Sequence, residues 1–157
     1  MDKQIVTQHT AIYCNENPWS LLRTGIEKLN PTKIFILVDT NTHTHCHELF
    51  IKKAGIKAPV ETIIMPSGEK NKTIHTCMDI WSTLSEKGAD RSSLLINLGG
   101  GVVTDLGGFV ASTFKRGIDF INIPTSLLAM VDASIGGKNG LDLGMLKNQI
   151  GVVNNPR

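Results

Sequence analysis

Residues 97–105, Asn-Leu-Gly-Gly-Gly-Val-Val-Thr-Asp, set three consecutive glycines between a buried-strand pattern and a helix pattern. Leu94, Leu95, Ile96 and Leu98 supply the strand side, and the apolar run over 102–114 supplies the helix. Glycines at such a junction remove the side chains that would block a close ligand. They leave free N–H groups and the positive end of a helix directed at an anion. The chemistry that suits this pattern is the binding of a phosphate or pyrophosphate. The dinucleotide fingerprint G-x-G-x-x-G is met in part, since Gly99 and Gly101 fill its first two positions while Thr104 occupies the third. A tight turn with close helix–strand packing is the alternative reading of the same glycines.

Other polar groups fall at the carboxyl ends of predicted strands, where open α/β sheets bind ligands. Asp39 ends the strand pattern 33–39; its carboxylate suits the two hydroxyls of a ribose, or equally the N-cap of the next helix. Glu69 and Lys72 follow the strand pattern 60–65 and suit a sugar and a phosphate, or else a capped, solvated helix start. Thr125 and Ser126 follow the strand pattern 118–123 and Pro124, offering two hydroxyls and a helix N-terminus. Asp119 lies about 20 residues past the glycines, where a dinucleotide site expects an acidic group. It opens a strand at the edge away from the glycines and is rejected for that role. His43, His45 and His47 invite a metal, and His43 and His47 would share a helix face. No H-E-x-x-H and no carboxylate at ligand spacing accompany them, so a solvated helix face is the expectation. The Asn71-Lys72-Thr73 glycosylation triplet is expected to be idle.

The elements that must position these groups alternate between strand and helix patterns, which predicts a largely parallel sheet flanked by helices, a Rossmann-like α/β domain. Residues 3–14 read as an extended leading segment, and Pro18 opens a helix with an apolar stripe of Leu21, Leu22, Gly25, Ile26 and Leu29. A helix over 42–54 is closed by Gly55, and the strand 60–65 runs into the polar turn 66–70. The periodicity over 71–87, with Ile74, Cys77, Met78, Trp81 and Leu84 on one face, predicts the longest helix, stopped by Gly88. After a short helix at 125–131 the chain becomes rich in Gly, Lys and Asn and reads as ligand-facing loop.

With 157 residues, 41% hydrophobic and 19% charged, one globular domain is expected. A formal charge of +2 argues against nucleic acid or an acidic membrane as partner. No apolar run nears the roughly 20 residues of a membrane span, and the first residues lack a signal-peptide core, so a cytoplasmic protein is expected. The three cysteines, Cys14, Cys46 and Cys77, are odd in number and widely spaced, which reads as reduced thiols.

In order and spacing, several segments closely resemble 3-dehydroquinate synthase, a sugar-phosphate cyclase. They are 99–109 (GGGVVTDLGGF), 114–118 (FKRGI), 124–129 (PTSLLA), 131–138 (VDASIGGK) and 147–151 (KNQIG). Asp39 and the turn Ser67-Gly68-Glu69 to Lys72 extend the resemblance through nearly the whole chain; Ser126 departs from the family's usual threonine but keeps the hydroxyl. The resemblance implies an enzyme that uses NAD and a divalent metal, usually zinc, to turn a seven-carbon keto-acid phosphate into 3-dehydroquinate in the shikimate pathway. A ring hydroxyl is transiently oxidised, phosphate is eliminated, the ketone is reduced again, and ring opening with aldol closure follows. It implies Asp39, Ser67, Gly68, Glu69, Lys72, Gly101, Val102, Val103, Thr104, Asp105, Thr125 and Ser126 around NAD, with Lys138 and Lys147 reaching both ligands. Arg116, Asp132, Lys138, Lys147 and Asn148 match the family's positions around the carbohydrate, and the residue matching Arg116 reaches a neighbouring subunit, implying a homodimer. Lys138 and Arg116 suit an anionic phosphorylated acid.

The family's metal ligands, one glutamate and two histidines, belong to a second, mostly helical domain beyond the nucleotide-binding one. Residues 1–157 are therefore expected to be the NAD-binding N-terminal domain alone, with no metal ligand carried over and no turnover of its own. The alternatives are a related sugar-phosphate cyclase, a metal-dependent polyol dehydrogenase, and a non-catalytic NAD-binding module.

Overall fold

The computed structural model describes residues 3–6, 10–14 and 17–157. A leading antiparallel hairpin pairs β1 (Lys3–Val6) with β2 (Ala11–Cys14). Four strands form a parallel sheet in the order β4-β3-β5-β6, from β3 (Ile34–Asp39), β4 (Val60–Met65), β5 (Leu94–Gly99) and β6 (Asp119–Pro124). The central strands β3 and β5 are nearly continuous apolar runs because both faces of a parallel sheet are covered.

Alternate residues of these strands feed two cores. Ile34, Ile36, Val38, Leu94, Ile96 and Leu98 pack with Leu22 and Ile26 of α1 (Trp19–Leu29) and with Phe50 and Ala54 of α3 (Glu48–Ala54). Phe35, Leu37, Ile63, Met65 and Leu95 pack on the other side with α4 (Ile74–Glu86) and α5 (Gly101–Thr113). Cys77 belongs to this second core, where burial pushes its thiol up to about 12.

Three expectations need correction. The helix expected over 42–54 is broken into α2 (Thr40–Thr42), a π-helical turn at His43–His47, and α3. Helix α4 begins only after Thr73, whose hydroxyl accepts from Thr76 N at 3.3 Å, so Lys72 is not in a helix start; Met78, expected on the apolar face, is exposed. The Gly, Lys and Asn-rich tail is regular structure and not loop. Its short helix is π-helical over Ala129–Ala133, and β7 (Lys138–Leu143) then pairs antiparallel with β8 (Leu146–Val153).

This second hairpin covers the outer side of α5. Leu141 joins the core beside Val103, Leu106 and Val110, while Asn139 is buried against Gly108. The sheet covers the inner side, where Asn97 of β5 abuts Gly107. A Cβ at Gly107 would overlap Asn97 Oδ1, and one at Gly108 would overlap Asn139 Oδ1. The adjacent glycines therefore let a strand approach α5 from each side, and α5 is buried nearly all round.

Leu141→Ala should destabilise the chain by about 2–5 kcal/mol in urea unfolding, as expected for a buried leucine. Met145→Ala, at a side chain 99% exposed in the hairpin turn, should stay within about 0.5 kcal/mol of the parent. Equal effects would mean that the hairpin does not pack on α5.

Candidate functional site

Strand β3 connects outward to β4, whereas β5 lies on its other side, so the topological switch point falls between β3 and β5. Leu37 pairs with Asn97, which sets Asp39 and Gly99 level at the carboxyl edge of that crevice. Open α/β sheets bind ligands at this point.

Gly99 and Gly100 lead into α5 with no side chain over its first turn. A Cβ on Gly99 would overlap Val103, and one on Gly100 would lie 3.4 Å from Ser126 Oγ. Helix geometry leaves the amides of Gly101, Val102 and Val103 without intrahelical acceptors, while Thr104 N already reaches Gly100 O at 3.0 Å. The loop after β6 closes over the turn, as Thr125 N donates to Gly99 O at 3.0 Å and Ser126 Oγ accepts from Ala129 N at 3.4 Å. The result is an open-sided cradle of N–H groups that fits a pyrophosphate.

Asp39 acts as the N-cap of α2: Oδ1 accepts from Thr42 N at 2.7 Å and from Thr42 Oγ1 at 3.0 Å. The two readings of Asp39 thus divide between its oxygens. Oδ1 is committed to the cap, and Oδ2 makes no hydrogen bond among the described residues, which leaves one acceptor free on Asp39. Ser67 O accepts from Asn71 Nδ2 at 2.7 Å, and Gly68 turns the chain at φ +99° with open space beside it.

Lys72 overturns the expectation of a solvated helix start. It is only 4% exposed, and its Nζ donates to Asp105 Oδ2 at 2.6 Å and to Asn148 Oδ1 at 2.7 Å. Burial pushes the Asp105 carboxyl above its ordinary value; the Lys72 ammonium opposes the rise, while the charges of Glu69 and Asp132 add to it. Lys147 pairs with Glu69 at 3.4 Å on the exposed rim. The structure thus brings together Glu69, Lys72, Gly101, Val102, Val103, Thr104, Asp105, Thr125, Ser126, Asp132, Lys147 and Asn148 around the head of α5.

Two site residues stand apart. Lys138 is exposed at the base of the hairpin opposite Val153, four positions along β7 from the level of Lys147, roughly 13 Å at strand spacing. Arg116 is exposed at φ +72° beyond the far end of α5, roughly 20 Å of helix from Gly101. Among the described residues neither side chain makes a hydrogen bond or ion pair with a group of the cradle. Asp119 opens β6 at the opposite edge and pairs with Arg157 at 2.7 Å, in keeping with its rejection. His43 and His47 stack at 5.2 Å on the π-helical turn, and His47 Nε2 bonds Thr62 Oγ1 at 2.9 Å. Burial, then His43, lowers the His47 pKa. Among the described residues no three His, Cys, Asp or Glu side chains gather to hold a metal, and no helix is long and apolar enough to cross a membrane.

Sequence reasoning missed Asp142 and the pair Asn97 and Asn122. Asp142 Oδ1 accepts from Asn148 N at 2.8 Å, and the available signal was an aspartate two residues before the turn glycine Gly144. Asn97 Nδ2 donates to Asn122 Oδ1 at 2.9 Å, and Asn122 Nδ2 donates to Ser134 O at 3.2 Å, tying the sheet to the segment that carries Asp132.

Comparison with known proteins fits this geometry. A family model described as 3-dehydroquinate synthase N-terminal matches residues 62–157. The chain belongs to the 3-dehydroquinate synthase family. It is 49% identical over 133 residues to a 3-dehydroquinate synthase of Parabacteroides distasonis, covering 84% of this chain and 37% of that protein. It is 48% identical over 137 residues to one of Thermococcus kodakarensis, covering 86% and 38%. The chain thus spans under two-fifths of the length of these relatives. Among solved structures, a 2-deoxy-scyllo-inosose synthase complexed with carbaglucose-6-phosphate, NAD+ and Co2+ shares the fold, with TM-score 0.84 at 24% identity, over all of this chain and 43% of that one. A 2-epi-5-epi-valiolone synthase from Streptomyces hygroscopicus with NAD+ and Zn2+ bound gives 0.70 at 25% identity over 79% of this chain and 35% of that one.

The Lys72 to Asp105 pair yields a pH-dependent prediction. Lys72→Met leaves a half-buried carboxylate without its cation, which should cost about 3–5 kcal/mol at pH 7. Removing Lys72 also removes the interactions that lower the Asp105 pKa, so this acid's folded pKa rises further above its unfolded value. The folded state then binds the proton more tightly, and stability is regained as pH falls. Urea unfolding should show a smaller penalty at pH 5 than at pH 7; a larger penalty at pH 5 would contradict the pairing.

Proposed function

We propose that the intact protein is a 3-dehydroquinate synthase of the shikimate pathway, acting as a homodimer in the cytoplasm, and that residues 1–157 are its NAD-binding N-terminal domain. Family membership at 49% identity supports this reading, together with the observation that carries it: the side-chain-free amide cradle of α5 at the β3–β5 switch point. The related cyclases share the fold at 24–25% identity, whereas the 3-dehydroquinate synthases named above are nearly twice as similar.

Bound NAD would supply reversible hydride acceptance from a ring hydroxyl. The chain's own residues do the rest of what is assigned here. The amides of Gly101, Val102 and Val103 hold the pyrophosphate, Asp39 Oδ2 accepts from one ribose, and Glu69 stands over the other beside Ser67 and Gly68. Thr125 and Ser126 wall the crevice on the β6 side. Lys147 and Asn148 present a cation and an amide at the rim of the carbohydrate side, and Asp132 adds a carboxylate whose charge is felt by Asp105. Lys138 offers a cation to the substrate's phosphate or carboxylate, and Arg116 offers one to a neighbouring subunit. Among the described residues no three His, Cys, Asp or Glu side chains gather to hold a metal; in the family reading its ligands belong to the second domain.

In calorimetry the 157-residue chain should bind NAD with an affinity weaker than low micromolar, since in the family reading the second domain covers the nicotinamide side of the cradle. Asp39→Asn keeps an oxygen for the helix cap, and loss of the carboxylate should weaken binding by about 1–3 kcal/mol. Unchanged affinity would remove Asp39 from the site. The chain alone should release no phosphate from the keto-acid phosphate, and fusion to the remaining portion of a relative should restore release. Chelator-resistant release by the chain alone would overturn this division of labour.

A further inference from the structure

Lys72 Nζ bonds both Asp105 of α5 and Asn148 of the hairpin, the latter 76 positions further along the chain than Lys72. The backbone of Lys72 joins the same contact, its carbonyl accepting from Asp142 N at 2.9 Å. Asp142 turns its carboxylate to Asn148 N at 2.8 Å, fixing a residue held at φ +53°. The loop after β4, the head of α5 and the tip of the β7–β8 hairpin therefore share one buried cation. The ion pair between loop and hairpin, Lys147 with Glu69, is exposed and screened by water.

We propose that Lys72 is a positioning residue whose ammonium clasps the hairpin tip to the cofactor-side loop, and so sets where Lys147 and Asn148 stand relative to the glycine turn. A buried ammonium is costly without its acceptors. Sliding the hairpin along α5 would take Asn148 Oδ1 away from it, so the clasp selects one height for the tip. It also joins the two sides of the groove mechanically. What Lys147 and Asn148 then bind rests on the function proposed above; the clasp itself does not.

Backbone amide hydrogen exchange on the 157-residue chain tests this, first without ligand and then with NAD. Asn148→Asp and Asn148→Gly both tolerate the positive φ, but only aspartate keeps an acceptor for Lys72. Without ligand, amides over 139–152 should exchange in Asn148→Asp as in the parent. They should exchange at least about tenfold faster in Asn148→Gly and Lys72→Met, with β3 and β5 unchanged. If Lys72→Met loses protection throughout, the two Asn148 variants decide. Equal hairpin exchange in Asn148→Gly and the parent overturns the clasp, as does acceleration in Asn148→Asp that matches Asn148→Gly. With NAD, the parent should slow at the amides of Gly101, Val102 and Val103 and also at Asp142 and Asn148, whereas Asn148→Gly should slow at the glycine turn alone. This split separates positioning from simple stabilisation. Slowing confined to the turn in the parent would overturn the link between the two sides. No NAD effect at the turn in the parent would instead refute the cofactor reading, and the ligand-free rates would still judge the clasp.

Discussion

Burial of α5 on both sides is the constraint from which the rest of the structure follows. A helix pressed between a sheet and a hairpin needs close approach twice, and the adjacent Gly107 and Gly108 allow it by giving room to Asn97 on one side and Asn139 on the other. The same burial holds the helix axis in place. Its N-terminus consequently sits at a fixed point, level with the carboxyl ends of the strands, and its unpaired amides keep a constant direction. A positive helix end is useful to an anion only when it does not move, and here both layers hold it.

The price of that arrangement is a set of polar groups taken out of water. Asn97 Oδ1 has no partner among the described residues. Asp105, one turn into α5, is pushed toward its neutral form by burial and is countered by Lys72. The asparagines answer mostly to backbone: Asn139 Nδ2 donates to Gly137 O at 3.0 Å and to Asn154 O at 2.7 Å. Polar contacts of this kind are intolerant of small shifts, because a displaced donor leaves a buried acceptor unpaired. They specify the height of the hairpin more sharply than the apolar contact of Leu141 does. The site is therefore built from a rigid cradle and a hairpin whose position is set by hydrogen bonds.

Much of this was legible in the sequence wherever one periodicity dominated. The strand Val60–Met65 was read to the residue, and the glycine junction announced both the end of β5 and the start of α5. Parallel strands buried on both faces are apolar runs, and such runs survive without knowledge of their partners. The tail was misread because its strands carry too little pattern. In β7 a single core side chain, Leu141, follows Gly140, and β8 is mostly exposed, so turn-forming residue types outweighed a strand that tertiary contact creates. The burial of Lys72 was illegible for a related reason: it depends on Asp105 and Asn148, which local sequence does not place beside it. The cap at Thr73 was within reach, since Thr at the cap with a turn of helix beyond it is a local signal. Arg116 and Lys138 were named from resemblance alone, and among the described residues neither makes a hydrogen bond or ion pair with the cradle.

A crystal structure of the chain grown with NAD shows whether the first amides of α5 receive the phosphates of a dinucleotide. Pyrophosphate oxygens should lie within hydrogen-bond distance of the Gly101, Val102 and Val103 amides, with a ribose against Asp39 Oδ2. NAD seated elsewhere would contradict it, for instance in the cavity of about 390 Å³ lined by Arg91, Asp119 and Arg157 at the opposite edge of the sheet, with the glycine turn empty.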